Sequence, residues 1–341
     1  MKLKDLAKHL DLSQTTVSRA LAGYGDVSEA TRERVVAAAR ELGYAPSLNA
    51  RRLKSGRAEA IGLVMPVDPD GHAYPFFLEM IAGIGERLTA ERLDLTLVTA
   101  REGADELEAY KRLVEGRRVD GVIVARTRRR DDRISYLLDR GFPFVAHGRT
   151  EETRPYPFLD MDGTYGIKIA CKRLIGLGHR RIGYIGVEES FSFAAYRELG
   201  YREALEEASV PIDERLMMRT PMRPDLDEAA VLDLLDRDDA PTAVICASDG
   251  IAHSLVQILR EHGLRPGADV SIIGYDDTPV GRYGDLGIST VTHPIHDAGK
   301  TLVDLLLARI AGADPAELRR IWKPKLLLRQ SDTQPPASMV A

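Results

Sequence analysis

Short, almost continuous apolar runs punctuate most of this 341-residue chain, at 61–65, 95–100, 121–125 and 142–146, and again at 181–186, 242–247 and 271–276. They are rich in Val and Ile and lack the alternation of a half-exposed strand. Such runs fit parallel strands covered on both faces. The stretches between them, among them 77–90, 104–116, 164–176 and 195–208, are amphipathic at helical spacing. Alternating strand and helix implies doubly wound parallel sheets. Because the series occurs twice, the expectation is an α/β core of two similar lobes with a cleft between them.

The first 57 residues follow a different pattern. Segments 3–10 and 14–21 predict short helices around a tight turn at 11–13. Residues 29–42 predict a third, with Ser28 as its N-cap and Gly43 as its stop. In the second helix, Ser13-Gln14-Thr15-Thr16-Val17-Ser18-Arg19-Ala20-Leu21, the apolar Val17, Ala20 and Leu21 fall on one side, within reach of Leu6, Ala7 and Leu10. Gln14, Thr15, Ser18 and Arg19 fall on the other, since residues three and four apart stack on a helix. Amide, hydroxyl and guanidinium groups are those that read base edges in a DNA major groove. Three successive β-branched residues, Thr15 to Val17, are also poor choices for a helix needed only for packing. The bland alternative is a three-helix domain with a polar solvent face.

Charge favours the DNA reading. The whole chain carries −5, yet residues 1–57 hold eleven basic and six acidic side chains, leaving a basic head on an acidic body. Neutralisation of phosphates drives affinity for DNA. Residues 46–57 form a further unit, too short to be a stable helix alone. It bears Arg51, Arg52 and Lys54 beside apolar Ala50 and Leu53. It orders on DNA or is a plain linker.

Other classes are disfavoured. No apolar run approaches the roughly 20 residues of a membrane span, and Lys2, Lys4 and Asp5 do not open a signal peptide. Cys171 and Cys246, both in apolar contexts, fit free buried thiols in a reducing cytoplasm. There is no P-loop, His-Glu-x-x-His, Cys-x-x-Cys or Gly-x-Ser-x-Gly, so no enzyme, cofactor or metal site is expected. His293, His296 and Asp297 make a poor metal motif because Pro294 disfavours a helix there.

In open α/β sheets, ligands bind beyond the carboxyl ends of the strands. That rule places Tyr74, Phe76 and Phe77 after the first run, Arg126 after the third, and His147 and Arg149 after the fourth. It adds Phe191, Phe193 and Arg197 after the fifth, Ser248 and Asp249 after the sixth, and Asp276 and Asp277 after the last. Aromatic faces with Arg and Asp suit a hydroxyl-rich ligand. Each has a structural alternative: Asp249 caps the helix near Gly250, Asp277 steadies the turn before Pro279, and Phe77 is core.

Lys4-Asp5-Leu6-Ala7, the 13–21 segment and Gly43-Tyr44-Ala45-Pro46 resemble the head of the lac-repressor (LacI/GalR) family of bacterial transcription regulators. Gly178-His179-Arg180-Arg181-Ile182, Arg197-Glu198-Leu199-Gly200-Tyr201 and Gly274-Tyr275-Asp276-Asp277-Thr278 look like signatures of its effector-binding core. The resemblance spans residues 2–329. It implies a helix-turn-helix head over 1–45, a hinge helix and linker over 46–58, and a periplasmic-binding-protein-like core over 59–330. The lobes would be 59–161 plus 292–322, and 162–291 plus 323–330, with crossings near Asp162, Thr292 and Trp322. Residues 331–341 are expected to be a disordered tail.

The resemblance also implies roles. Gln14, Thr15 and Arg19 would meet base edges, with Thr16 and Ser18 nearer phosphates and Ser13 on the same DNA-binding surface. Leu53 would wedge into the minor groove, with Ala50 beside it and Lys54 near the groove floor. Arg197 and Asp276 would contact a small effector, within a set of Tyr74, Phe77, Arg126, Arg149, Phe193, Ser248 and His293. Ser248 stands where sugar-responsive members often carry Asn. With no heptad repeat after Arg329, a homodimer on palindromic double-stranded operator DNA is expected, cytoplasmic and nucleoid-associated. Ser13-Gln14-Thr15-Thr16 with Ala146-His147-Gly148-Arg149 looks similar to repressors of α-glucoside utilisation, which implies maltose, sucrose or trehalose as inducer. Corepression by a purine or another small metabolite is the alternative within the family, and a sugar-binding transport protein the alternative outside it.

Overall fold

The computed structural model describes residues 2–44, 56–67, 75–221, 226–237 and 239–336. It divides into a unit over Met1–Glu59 and a unit over Ala60–Ala341. Ala50, Leu53, Lys54 and Tyr74, with the rest of the expected hinge helix, lie outside the described residues.

In the first unit, helices α1 (Leu3–Leu10), α2 (Gln14–Leu21) and α3 (Glu29–Glu41) enclose a small core of Leu6, Ala7, Val17, Ala20, Val27, Val35, Ala38 and Ala39. The α1–α2 turn is set by two local devices. Asp11 takes a left-handed φ of 53°, and the Ser13 hydroxyl accepts from the Thr16 amide at 3.0 Å, an N-cap. Helix α3 ends in a Schellman motif: Gly43 has φ 61°, and the Tyr44 amide donates to the Ala39 carbonyl at 2.8 Å.

The second unit contains two six-stranded sheets. Lobe one pairs β1 (Ala60–Val67), β2 (Asp94–Arg101), β3 (Gly121–Val124), β4 (Phe144–His147), β5 (Phe158–Met161) and β11 (Arg319–Trp322) in the order β11-β5-β4-β3-β1-β2, all parallel. Lobe two pairs β6 (Ile182–Val187), β7 (Met217–Thr220), β8 (Ala243–Cys246), β9 (Ser271–Tyr275), β10 (Ser289–Thr292) and β12 (Lys325–Leu327) in the order β12-β10-β9-β8-β6-β7, with only β12 antiparallel. The chain passes between lobes after β5, after β10 and after β11.

Two glycines fix how the helices press together. Helix α4 (Pro75–Ala90) crosses α12 (Ile295–Ile310) so closely that a Cβ on Gly83 would overlap the His296 carbonyl oxygen. Helix α7 (Gly163–Gly176) meets α8 (Ser192–Glu207) the same way at Gly200, where a Cβ would strike the Thr164 carbonyl. Gly200 therefore lets α8 lie deep enough to bring Arg197, one turn earlier, to the cleft.

Two expectations are corrected. The supposed tail is packed as far as Thr333: Ser331 is fully buried and Asp332 nearly so. The Ser331 hydroxyl donates to the Ile272 carbonyl at 2.6 Å, Arg173 pairs with Asp332 at 2.7 Å, and the Thr333 amide donates to the Ser271 hydroxyl at 2.9 Å. Polar side chains here are buried because each has a partner on lobe two, which composition does not show. Residues 337–341 lie outside the described residues. Asp249 does not cap the helix Asp249–Glu261 (α10). Ser248 does, accepting from the Ile251 amide at 3.3 Å, while Asp249 accepts from the Thr290 hydroxyl at 2.7 Å.

Candidate functional site

The cleft between the two lobes encloses a cavity of about 180 Å³ at the carboxyl ends of the strands. Of the residues expected there, Phe76, Phe77, Arg126, His147, Phe193, Arg197, Ser248, Asp276 and His293 line it. Phe77 does so from within the lobe-one core and is fully buried; its neighbour Phe76 packs on His147 and His293, with ring centroids 5.4 and 6.2 Å away. The Ser248 hydroxyl is engaged as a helix cap. Arg149 is not a lining residue. It is drawn aside to Asp160, 2.7 Å away, and lies 4.1 Å over the Tyr196 ring. Asp277 also turns away, pairing with Arg329 at 2.6 Å and Arg282 at 2.8 Å.

Arg197 and Asp276 form the centre. Arg197 Nη2 donates to Asp276 Oδ1 at 3.1 Å, and Nη1 donates to the Ala247 carbonyl. The guanidinium stacks over Tyr275 at 3.5 Å and Phe193 at 4.8 Å. Burial alone would depress the Arg197 pKa, but the Asp276 carboxylate beside it holds it above the ordinary value. Burial pushes the Asp276 carboxyl up, against the pull of Arg197. Asp276 has φ 94° and Asp277 φ 53°, a turn that short polar side chains tolerate best.

His147 and His293 complete the wall. Burial lowers both imidazoles to about 3, so both are neutral at physiological pH. Asp160 is raised by burial to about 6, with Arg149 pulling the other way. Among the described residues, His147 Nε2, His293 Nδ1, Arg197 Nε and the Tyr275 hydroxyl are buried without a hydrogen-bond partner. All four belong to residues that line the cavity, and a wall of imidazoles, a guanidinium and a phenol suits a ligand with several hydroxyls or ring heteroatoms. Asp160 and Tyr275 were missed as site residues. A carboxylate inside the apolar run Phe158-Leu159-Asp160-Met161 was the one available signal.

The lobes also touch directly beside the cavity. Arg128 and Phe191 form an antiparallel bridge, flanked by Arg129 N–H to the Ser190 carbonyl at 2.9 Å and Ser192 N–H to the Thr127 carbonyl at 3.0 Å. The Phe191 ring lies under the guanidiniums of Arg126 and Arg128, at 4.8 and 5.6 Å. Behind that loop, Arg133 is buried against Glu106 at 2.8 Å and Asp131 at 2.7 Å, and it donates to the Arg126 carbonyl at 2.9 Å.

In the first unit, Ser13, Gln14 and Thr15 are exposed on α2, with Thr16, Ser18 and Arg19 partly so. The Ser13 and Thr16 hydroxyls bond each other at 2.9 Å. No helix among the described residues is long and apolar enough to cross a membrane, and no cluster of three or more His, Cys, Asp or Glu there is placed to hold a metal.

Residues 2–47 match the model of bacterial regulatory proteins of the lacI family, and residues 171–331 that of a periplasmic binding protein-like domain. The chain is 36% identical to the HTH-type transcriptional regulator RafR of Escherichia coli, over 95% of this chain and 96% of that one. It is 36% identical to the HTH-type transcriptional regulator AglR of Rhizobium meliloti (strain 1021), over 97% and 94%. Among solved structures it resembles the complex of the transcriptional regulator CelR with cellobiose, with TM-score 0.74 and 32% identity over 97% of this chain and 99% of that one.

Proposed function

Because the chain belongs to the lacI family of bacterial regulatory proteins, we propose that it represses a carbohydrate-utilisation operon as a cytoplasmic homodimer and leaves its palindromic operator when a sugar enters the cleft. The observation that carries the sugar reading is the charge balance of the cavity. Of the charged groups lining it, Arg197 is matched by Asp276, Arg126 by Glu102 and Asp160 by Arg149, both histidines are neutral, and aromatic rings stand among them. Paired charges favour a neutral ligand, and neutral hydroxyls satisfy polar atoms without adding charge. The solved neighbour CelR holds cellobiose, and the likeness at 13–16 and 146–149 favours an α-glucoside. On this reading Arg197, Asp276, His293, Phe193, Phe77, Arg126 and Ser248 form the effector site, joined by His147, Asp160 and Tyr275. Gln14, Thr15 and Arg19 read bases while Ser13, Thr16 and Ser18 hold phosphates.

Coupling requires only that DNA and sugar prefer different arrangements of the same dimer. The test is fluorescence anisotropy of the protein on DNA from upstream of its own locus, with glucose, maltose, sucrose, trehalose, cellobiose, guanine and hypoxanthine in turn. Release by one sugar establishes an inducible repressor. Tightening by a purine replaces induction with corepression. Response to glucose but to no disaccharide assigns the whole ligand to one ring.

Two further results are expected with the effector so identified. Phe191→Ala removes the cross-lobe ring, which does not itself line the cavity but backs its Arg126 and Phe193, and effector affinity in calorimetry should fall about tenfold, since a buried Phe truncation removes roughly 3–5 kcal/mol of packing, part of it from the bridge. Unchanged affinity would mean the bridge does not hold the cleft closed. Ionised Asp160 offers acceptors on both oxygens and balances Arg149, and protonation removes the charge and turns one oxygen into a donor. Affinity should therefore decline as pH falls through about 6, and the decline should vanish in Asp160→Asn. The histidines, already neutral, add no step.

A further inference from the structure

Arg19, the guanidinium on the polar face of α2, is held from two sides by the turn that follows the helix. Its Nη2 lies 2.7 Å from Asp26 Oδ2, and its guanidinium carbon lies 5.4 Å from the centre of the Tyr24 ring. Arg19 and Asp26 are 44% and 48% exposed. Asp26, Ser28 and Thr31 face Ser13, Thr15, Thr16 and Arg19 across a small polar groove. Asp26 is thus on the same surface as the side chains assigned to DNA.

A half-exposed ion pair contributes little to stability, and a carboxylate on a DNA-facing surface opposes the phosphates. Asp26 therefore weakens DNA affinity and adds little to the fold. What it does supply is orientation. A guanidinium presents its donors in a planar fork. With Nη2 held by a carboxylate and one face against a ring, the fork is restricted in how it can present its remaining donors to the O6 and N7 of a guanine. Unheld, the same long side chain can swing to any phosphate in reach.

We propose that Asp26 is a specificity-determining positioning residue: it fixes Arg19 for base reading and withholds it from the DNA backbone. This rests on the operator-binding reading above. The probe is a duplex selected from a random double-stranded pool by the wild-type, full-length protein. Its companions are a scrambled duplex and one changed at the base pair whose preference is lost in Arg19→Ala. If the wild type selects no duplex, the operator reading fails and takes this proposal with it.

Given a selected duplex, anisotropy titrations from 50 to 200 mM KCl compare wild type with Asp26→Asn. The variant should discriminate at the Arg19 base pair about tenfold less, while binding the scrambled duplex several-fold more tightly at low salt. Its plot of log affinity against log salt should steepen by about 0.9, the signature of one added phosphate contact. In an Arg19→Ala background, Asp26→Asn should change no base preference. A purely structural role at the start of α3 predicts otherwise: a lower melting temperature, all duplexes weakened equally and an unchanged salt slope. That result, or discrimination equal to wild type, overturns the proposal.

Discussion

Asp276→Asn should yield a repressor that grips its operator as tightly as the wild type and does not release it when the sugar is added. Asp276 accepts from Arg197 in a buried setting. Its substitution leaves Arg197 without its counter-charge and the cavity without a carboxylate acceptor. Truncating one partner of a buried charged pair costs about 2–5 kcal/mol, so effector affinity should fall by at least roughly thirtyfold. Asn is the informative replacement because residue 276 has φ 94°, a conformation that Asn tolerates and Ala does not. Calorimetry with the effector, beside anisotropy on the operator, reads both halves. Normal release by sugar would remove Asp276 from the effector site. Loss of operator binding as well would point to a damaged fold.

Arg133→Leu should be the most destabilising single change in lobe one. Arg133 is almost fully buried and, with Arg128, balances the buried carboxylates of Glu106 and Asp131. Removing one member of such a cluster leaves uncompensated buried charge, at a cost of about 3–5 kcal/mol. Arg133 also binds the carbonyl of Arg126, whose φ of 51° is left-handed, so the loop that meets Phe191 should loosen with it. The expected result is a clear drop in the urea midpoint followed by circular dichroism, together with weaker effector binding. A loss below about 1 kcal/mol would show that water or neighbouring Arg128 replaces the lost charge. Because Arg128 already lies 3.1 Å from Glu106, the double variant with Arg128→Leu separates those two cases.

What could be seen in the sequence follows from how each segment is buried. Strands covered on both faces, such as 61–65 and 243–246, announce themselves as apolar runs. Strand β10 does not. Its Ser289 and Thr290 are fully buried because their hydroxyls bond Asp332 and Asp249, partners remote in sequence. Strands β11 and β12 are edge strands carrying Arg319, Arg320 and Lys325, and so read as polar loops. The cleft divides likewise. Arg197, Asp276 and Phe193 follow runs that read as strands, and position alone puts them there, whereas His293 follows β10 and only the family resemblance pointed to it. Arg149 obeys the same rule yet is captured by Asp160, a carboxylate hidden inside an apolar segment. The head was most legible because its cap at Ser28 and its stop at Gly43 are local chemistry; the cap at Ser13 is equally local but read only as part of a turn.

The threefold passage of the chain between lobes has a consequence for synthesis. When the ribosome has made β5, lobe one still lacks α12 and β11. Ile295, Leu302, Val303 and Leu306 of α12 belong to the same core as Ile61, Met80 and Ile84, so that apolar face stays uncovered while lobe two is translated from α7 to β10. At about 5–20 residues per second, the exposure lasts on the order of ten to thirty seconds. A nascent chain of this architecture is therefore a natural client for chaperones at the tunnel exit. Nonsense mutations before residue 322 should leave fragments that are degraded, not half-proteins that retain one lobe in folded form.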